Sequence, residues 1–310
     1  MTPATLATSH NLARTRARLE AVKARMGEAL ASPADSVPGF TFYLGAHRVP
    51  WLERSLWDRI CFRQPPLCLS YRTLREYREL PRAGVTWMLD SAGFTELSKH
   101  GHWTITPQEY ARDVQRYQRE IGGLAFAAQQ DWMCEEEVLA RTGLTVADHQ
   151  RRTVDNYLEL RAIAPDVLWA PTLQGWTMGD YLEHIEMFYR AGVNLHALPR
   201  VCVGTICKRK KRYLMQSALT LRAIHSEGLH NLHAFGAHLD LLKMSSDVLV
   251  SSDSTAWSTH ARKEHVSKRR KEINVGIGSD EIGTGNQNDP GAACSWYHTA
   301  AIPAVRMGRG

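Results

Sequence analysis

Short apolar runs alternate with stretches of helical period from about residue 40 to residue 250, and this alternation restricts the fold more than any other feature. The apolar runs cover 40–44, 67–70, 85–89, 124–128, 167–171, 201–203, 232–235 and 248–250. Between them lie amphipathic segments such as 107–121, 145–163, 178–191 and 208–226. Strands that alternate with helices of roughly 10–15 residues predict βαβ units and a parallel sheet. Eight such units predict a closed (β/α)8 TIM barrel of the α/β class. A doubly wound Rossmann sheet fits less well, because no Gly-x-Gly-x-x-Gly follows the first strand.

The 310 residues divide into three parts around that barrel. Residues 1–38 hold a basic amphipathic helix and a linker; Leu12, Leu19, Val22, Met26 and Leu30 keep helical spacing, with Arg14, Arg16, Arg18, Lys23 and Arg25 between them. That helix either meets phosphates or closes the bottom of the barrel. Residues 39–275 form the catalytic barrel. Residues 276–310 form a Gly-rich loop and a C-terminal extension containing Trp296 and Tyr297. The net charge of +6 and a pI of about 9.0 favour a polyanionic partner. Six cysteines show no Cys-x-x-Cys and no zinc-ligand spacing, so reduced thiols, a cytoplasmic location and no metal are expected. The chain carries neither a signal-peptide core nor an apolar run of about 18 residues, so a soluble protein with no membrane partner is expected. A homo-oligomer is compatible with these features.

In barrels of parallel strands, chemistry sits at the C-terminal strand ends. Polar groups and glycines collect there: His47, Asp90-Ser91, Asp131, Gln174-Gly175, Gly204-Thr205, Gly236-Ala237-His238 and Asp253. Three of these are carboxylates facing one mouth. Two carboxylates suffice for substitution at a sugar C1′: one attacks, the other handles protons, and a covalent intermediate lets a second acceptor enter with retention. A third carboxylate beside a glutamine and a glycine backbone suits a purine edge. Helix caps and loop hydrogen bonds are the plainer use of the same residues. Trp51, Trp132, Trp176 and Trp257 follow strand ends and serve either base stacking or rim packing. His230, His233 and His238 have the look of metal ligands. The first strand, however, carries His47 alone instead of the His-x-His of a metal-dependent barrel.

The segment 88–94, Met-Leu-Asp-Ser-Ala-Gly-Phe, resembles the Asp-Ser-Gly-Gly-Phe motif of the tRNA-guanine transglycosylase superfamily. Leu173-Gln174-Gly175 is similar to its Val-Gln-Gly-Gly, and Val203-Gly204-Thr205 falls where that superfamily has its glycine-rich base-binding loop. Ser252-Asp253-Ser254-Thr255-Ala256-Trp257 resembles the nucleophile segment of the archaeal members. Within the superfamily the chain is most similar to the DNA-modifying, DpdA-like branch, through Leu44-Gly45-Ala46-His47 with Trp51-Leu52, and through Cys202 to Arg209. The Cys-x-Cys-x-x-Cys…His pattern of the tRNA enzymes' zinc site does not occur, and their appended RNA-binding domain is not expected.

The resemblance implies an exchange of guanine in DNA for a 7-deazaguanine base, such as 7-cyano-7-deazaguanine, through a covalent Asp–deoxyribose intermediate. It implies Asp253 as nucleophile and Asp90 as general acid/base. Asp131, Gln174, Gly204, Gly175 and Ser91 would then surround the base, with no cofactor. The partners would be double-stranded DNA and a free 7-deazaguanine, in a bacterial or phage-infected cell. Lys208, Arg209, Lys210, Arg212, Arg269, Arg270 and His47 are the candidates for contact with nucleic acid. Three other readings stay open: a tRNA-guanine transglycosylase without its zinc site, a barrel glycoside hydrolase, and a non-catalytic nucleic-acid-binding barrel.

Overall fold

A computed structural model describes residues 39–58, 65–207, 209–258 and 289–309. Its strands are β1 (Thr41–Ala46), β2 (Leu67–Ser70), β3 (Trp87–Asp90), β4 (Leu124–Ala128), β5 (Trp169–Ala170), β6 (Thr172–Leu173), β7 (Val201–Val203), β8 (Leu232–Ala234) and β9 (Ser251–Ser254). The pairings are parallel, in the order β5-β4-β3-β2-β1-β9-β8-β7-β6. The two ends of that order are halves of one strand. Pro171 stands between them without an N–H to offer the ladder, so β5 pairs with β4 while β6 pairs with β7. The sheet therefore wraps into a nearly closed (β/α)8-like TIM barrel, as the alternation predicts.

The strand period of two sorts side chains to two faces. Tyr43, Cys68, Met88, Phe126, Ala170 and Cys202, each from a different strand, meet as a layer inside the barrel. Phe42, Leu44, Leu67, Leu69, Trp87 and Leu89 point outward into the larger core shared with the helices. Those helices are α1 (Gly93–His100), α2 (Pro107–Glu120), α3 (Glu136–Thr142), α4 (Val146–Ile163), α5 (Met178–Arg190), α6 (Leu214–Ser226) and α7 (Leu239–Ser245). Helices α2, α4 and α5 each begin at a reciprocal capping box: Thr106 with Glu109, Thr145 with Asp148, Thr177 with Asp180. Each box satisfies N–H groups that the first helical turn leaves open, at about 1 kcal/mol per cap. Helix α2 then buries Tyr110, Ala111, Val114 and Tyr117, one stripe of a 3.6-residue period.

Two expectations shift in register. The eighth apolar run is not itself the last strand. Residues Ser246–Val248 make a 3-10 turn, and the strand is the buried polar segment Ser251–Ser254, held between β1 and β8. Pairing on both sides outweighs local apolarity there. The helix expected from 208 starts at Leu214, after a 3-10 turn over Lys211–Tyr213.

The C-terminal residues form α8 (Pro290–Trp296) and, after a π-helical stretch, α9 (Ile302–Met307). They pack where β1 and β9 begin: the Phe42 ring lies 5.9 Å from Trp296, and Ser246 Oγ donates to the Val305 carbonyl at 2.8 Å. This extension thus covers the barrel bottom. The basic N-terminal helix, the block at 262–271 and the Gly-rich loop lie outside the described residues. Cys68, Cys134, Cys202 and Cys207 are free thiols, but Cys294 is disulfide-bonded, which corrects the expectation of uniformly reduced cysteines. Spacing along the chain carries no trace of such a pairing.

Candidate active site

A cavity of about 270 Å³ opens at the C-terminal ends of the strands, with Asp90, Asp131, Gln174, Gly204 and Asp253 among its walls. Strand β3 delivers Asp90 as its last residue. The chain then turns sharply at Ala92, whose φ of 64° lies in the left-handed region, where glycine is at ease and alanine costs about 1 kcal/mol. The related motif has glycine at this position. Here the Ala92 N–H donates to Asp90 Oδ2 at 3.1 Å, so the strained turn also orients the carboxylate. Burial, joined by the nearby charge of Asp253, pushes the Asp90 carboxyl up to about 6, against opposing hydrogen bonds from Ala92 and Ser70. A carboxyl at that position can both give and take a proton near neutrality.

Asp253 lies within β9 rather than beyond it. Its Oδ1 accepts from the Gly236 N–H at 2.9 Å, and the buried His233 Nε2 stands 3.3 Å away. Gly236 has a φ of 54° and backs onto Cys207, where an added Cβ would come within 2.7 Å of the cysteine Cβ. Glycine is needed there to aim the N–H at the aspartate.

Asp131 follows β4 and is buried. Ser91 Oγ donates to its Oδ1 at 3.3 Å, and Gln174 Nε2 donates closely to its Oδ2. Burial pushes the Asp131 carboxyl up to about 7, opposed by a hydrogen bond from its own backbone and by the Gln174 amide. The Gln174 amide is oriented from its other end, where the Thr205 hydroxyl donates to Oε1 at 2.5 Å. Its backbone N–H donates to His184 Nδ1 at 2.8 Å, and burial pushes that imidazole down to about 3, which keeps it a neutral acceptor. Asp131 and Gln174 therefore hold an acceptor and a donor side by side on the cavity wall.

Several expected contributors act differently. Gly204 lines the cavity, where its N–H donates to the Leu173 carbonyl and its own carbonyl accepts from the Tyr181 hydroxyl. Its role is space: an added Cβ would fall 2.2 Å from Gln174 Nε2. Ser91 and Gly175 do not line the cavity; Ser91 supports Asp131 from behind. Trp51, Trp132 and Trp257 are buried, so rim packing is their use; Trp257 donates to the Gly45 carbonyl at 2.8 Å. His230 pairs with His225, and His238 caps α7. Among the described residues, no group of three or more His, Cys, Asp or Glu side chains is arranged to hold a metal ion.

The nucleic-acid candidates divide in the same way. Lys208, Arg269 and Arg270 lie outside the described residues. Lys210 and Arg212 are exposed, and His47 is exposed at the cavity mouth. Arg209 is a correction. It is buried, its Nε donates to Thr205 and its Nη2 to Gly175 and Trp176, and its guanidinium stacks 4.7 Å from the Trp176 ring. It ties the loops after β6 and β7 together and is buried. Arg209→Ala is expected to destabilise the fold by about 2–4 kcal/mol, through carbonyls left unpaired. Denaturant melts check this, and an unchanged melt would return Arg209 to the surface.

Missing from the expectations are Glu135, a buried carboxylate on the cavity wall, and Arg48 and Arg72. With His47, Ser70, Thr73, Glu76 and Tyr77, these two arginines line a second cleft of about 380 Å³. His47, Ser70 and Thr73 belong to both spaces, so the cleft adjoins the strand-end cavity. Neither arginine stands in an apolar-periodic pattern or a charge run, so neither carries a local signal in the sequence.

A parallel (β/α)8-like barrel with convergent carboxylates at its C-terminal mouth defines a barrel enzyme of the kind that builds its site from strand ends. The chain belongs to the DpdA family, described as DeoxyPurine in DNA protein A, which matches residues 40–268. That span includes β1 through β9 and every cavity residue named above. No curated protein matches the chain.

Proposed function

We propose that the protein is a DNA-guanine transglycosylase that replaces guanine in DNA by a free 7-deazaguanine. The observation that carries this reading is the pairing of Asp253 with a proton-active Asp90 beside the Asp131–Gln174 edge reader, in a chain of the DpdA family. A target nucleotide must leave the stack, because its C1′ is out of reach in a duplex. Asp253 attacks C1′, the C1′–N9 bond breaks, and its electron pair leaves with guanine, whose protonation Asp90 supports. The deazaguanine then takes the vacated edge. It gives its N9 proton to Asp90 and attacks C1′, and the sugar–Asp253 bond returns its electrons to the carboxylate. Two inversions give retention, as in retaining glycoside chemistry.

The test is incubation with labelled guanine or 7-cyano-7-deazaguanine and either duplex DNA or tRNA. Label entering DNA alone is the expected result. Entry into tRNA alone would establish the tRNA enzyme instead, and entry into neither would leave a binding barrel or a hydrolase.

Arg48 and Arg72 outweigh the single carboxylate of Glu76 in the adjoining cleft, and the net positive charge suits the phosphates flanking the extruded nucleotide. Arg48→Ala with Arg72→Ala is expected to weaken DNA binding for all sequences alike. It should also lower the slope of log affinity against log salt by about 2, one for each phosphate no longer neutralised. A salt titration of binding checks this; an unchanged slope would move the phosphate path elsewhere.

A further inference from the structure

The described interior holds one ionisable group in contact with Asp253 that the mechanism above leaves unused. His233 is fully buried on β8, enclosed by the rings of Phe126 at 5.2 Å, Phe235 at 4.9 Å and Tyr43 at 6.1 Å. Both of its nitrogens are engaged. Nδ1 lies 2.8 Å from Ser251 Oγ, and Nε2 lies 3.3 Å from Asp253 Oδ1. The register pairs His233 with Ser251, so Asp253, two residues further along β9, shares Ser251's face.

The direction of this chain of hydrogen bonds follows from its last member. A carboxylate only accepts, so a neutral His233 that bonds Asp253 Oδ1 carries its proton on Nε2. Nδ1 is then an acceptor, and the hydroxyl proton of Ser251 is directed to it. Arg200 Nη1 donates to Ser251 Oγ at 3.0 Å and fills one of its lone pairs, which agrees with that direction. Burial lowers the imidazole below its usual value, against the hydrogen bond and charge of Asp253, and the Arg200 charge adds to the lowering, so the ring is neutral. The Gly236 N–H reaches the same oxygen. Oδ1 is thus held by two donors, and Oδ2 is the oxygen left to meet a substrate.

We propose that His233, set in its Nε2–H tautomer between the Asp253 carboxylate and Ser251, is a positioning residue that makes Oδ2 of Asp253 the attacking oxygen and Oδ1 the oxygen that holds charge. The proposal rests on Asp253 being the nucleophile. Its effect falls unequally on the two half-reactions. When Oδ2 bonds to C1′, the carboxylate becomes a neutral ester and the hydrogen bond at Oδ1 weakens. When the incoming base attacks C1′, the C1′–Oδ2 bond breaks, the electron pair returns to the carboxylate, and the N9 proton passes to Asp90. The same hydrogen bond then strengthens as charge develops, which speeds departure.

The experiment is single-turnover exchange followed by quench and mass analysis of the protein–DNA adduct, with His233→Phe and His233→Gln. Phenylalanine removes both nitrogens; glutamine can still direct an N–H at Oδ1. His233→Phe is expected to slow release of the sugar from Asp253 at least tenfold, so that the adduct accumulates, with KM for DNA within twofold of wild type. His233→Gln should restore release to within about threefold. Equal adduct levels in wild type and His233→Phe would overturn the proposal, as would failure of glutamine to restore release in a folded variant. Nitrogen NMR of the unmodified protein stands independent of any folding defect: a neutral Nε2–H imidazole supports the proposal, and an Nδ1–H or doubly protonated ring refutes it. Asp253→Ala distinguishes the two ways of failing. If that variant still exchanges base, the nucleophile assignment fails; if it is inactive while His233→Phe partitions normally, only the positioning role fails.

Discussion

Replacing Asp253 by alanine is expected to lower base exchange by about 10⁴-fold or more, since no other group would take over the covalent step. Asparagine is the sharper substitution. It keeps an oxygen for the Gly236 N–H and leaves the β1–β9–β8 pairing intact, so the fold should be retained. Yet an amide cannot form the sugar ester, and no covalent DNA adduct should survive denaturation. Asp253→Asn also removes the charge that helps to raise the Asp90 carboxyl, so Asp90 should titrate lower in this variant than in wild type. Exchange of labelled guanine, adduct mass and carboxyl titration check the three parts. Normal exchange in either variant would end the nucleophile assignment.

Asp90→Asn should separate activity from stability. General acid–base groups contribute typically about 10²–10⁴-fold, and loss of exchange in that range is expected. Stability should move the other way. In the folded protein the Asp90 carboxyl titrates at about 6, against 3.8 for the free side chain, because burial and the charge of Asp253 oppose ionisation. A raised carboxyl favours the fold fully below about pH 4, and that contribution disappears as pH rises through about 6. At pH 8 the ionised Asp90 costs the fold about 3 kcal/mol. Asparagine has no such cost, so the variant should be the more stable protein at pH 8, with the difference vanishing near pH 4. Urea melts at the two pH values test the sign; a variant less stable at pH 8 would contradict it. Over the same range, the first half-reaction of the wild type should slow as pH rises above about 6, because the acid form of Asp90 is lost. A site carboxylate that costs stability is the usual trade between activity and stability.

The parts of the molecule legible in the chain are those written in local pattern. Helices α2, α4 and α5 follow from the sequence within a residue or two of their bounds, because periodic apolar residues and a capping Thr with an acid three residues on are neighbours along the chain. Strands β2, β4 and β7 coincide with their apolar runs. The strand-end rule brings Asp90, Asp131, Gln174 and Asp253 to one cavity, since in a parallel barrel every C-terminal strand end faces the same mouth.

What stays hidden depends on contacts between residues far apart in the chain. The last strand is Ser251–Ser254, not the more apolar 248–250, because β1 and β8 flank it and bring Tyr43 opposite Asp253 and His233 opposite Ser251. Arg209 sits in a basic run that reads as surface, yet it is enclosed by Thr205, Gly175 and Trp176 once the loops after β6 and β7 converge. Gly204 keeps its place through the side-chain volume of Gln174, on the neighbouring strand's loop. Arg48 and Arg72 share a cleft because β1 and β2 are adjacent in the sheet. Periodicity and composition specify which face of an element is buried and which residues cap it. The partner met by each buried group, and hence the direction of its hydrogen bonds and the ease of its ionisation, is set by barrel closure, a condition on the whole sheet that no single segment records.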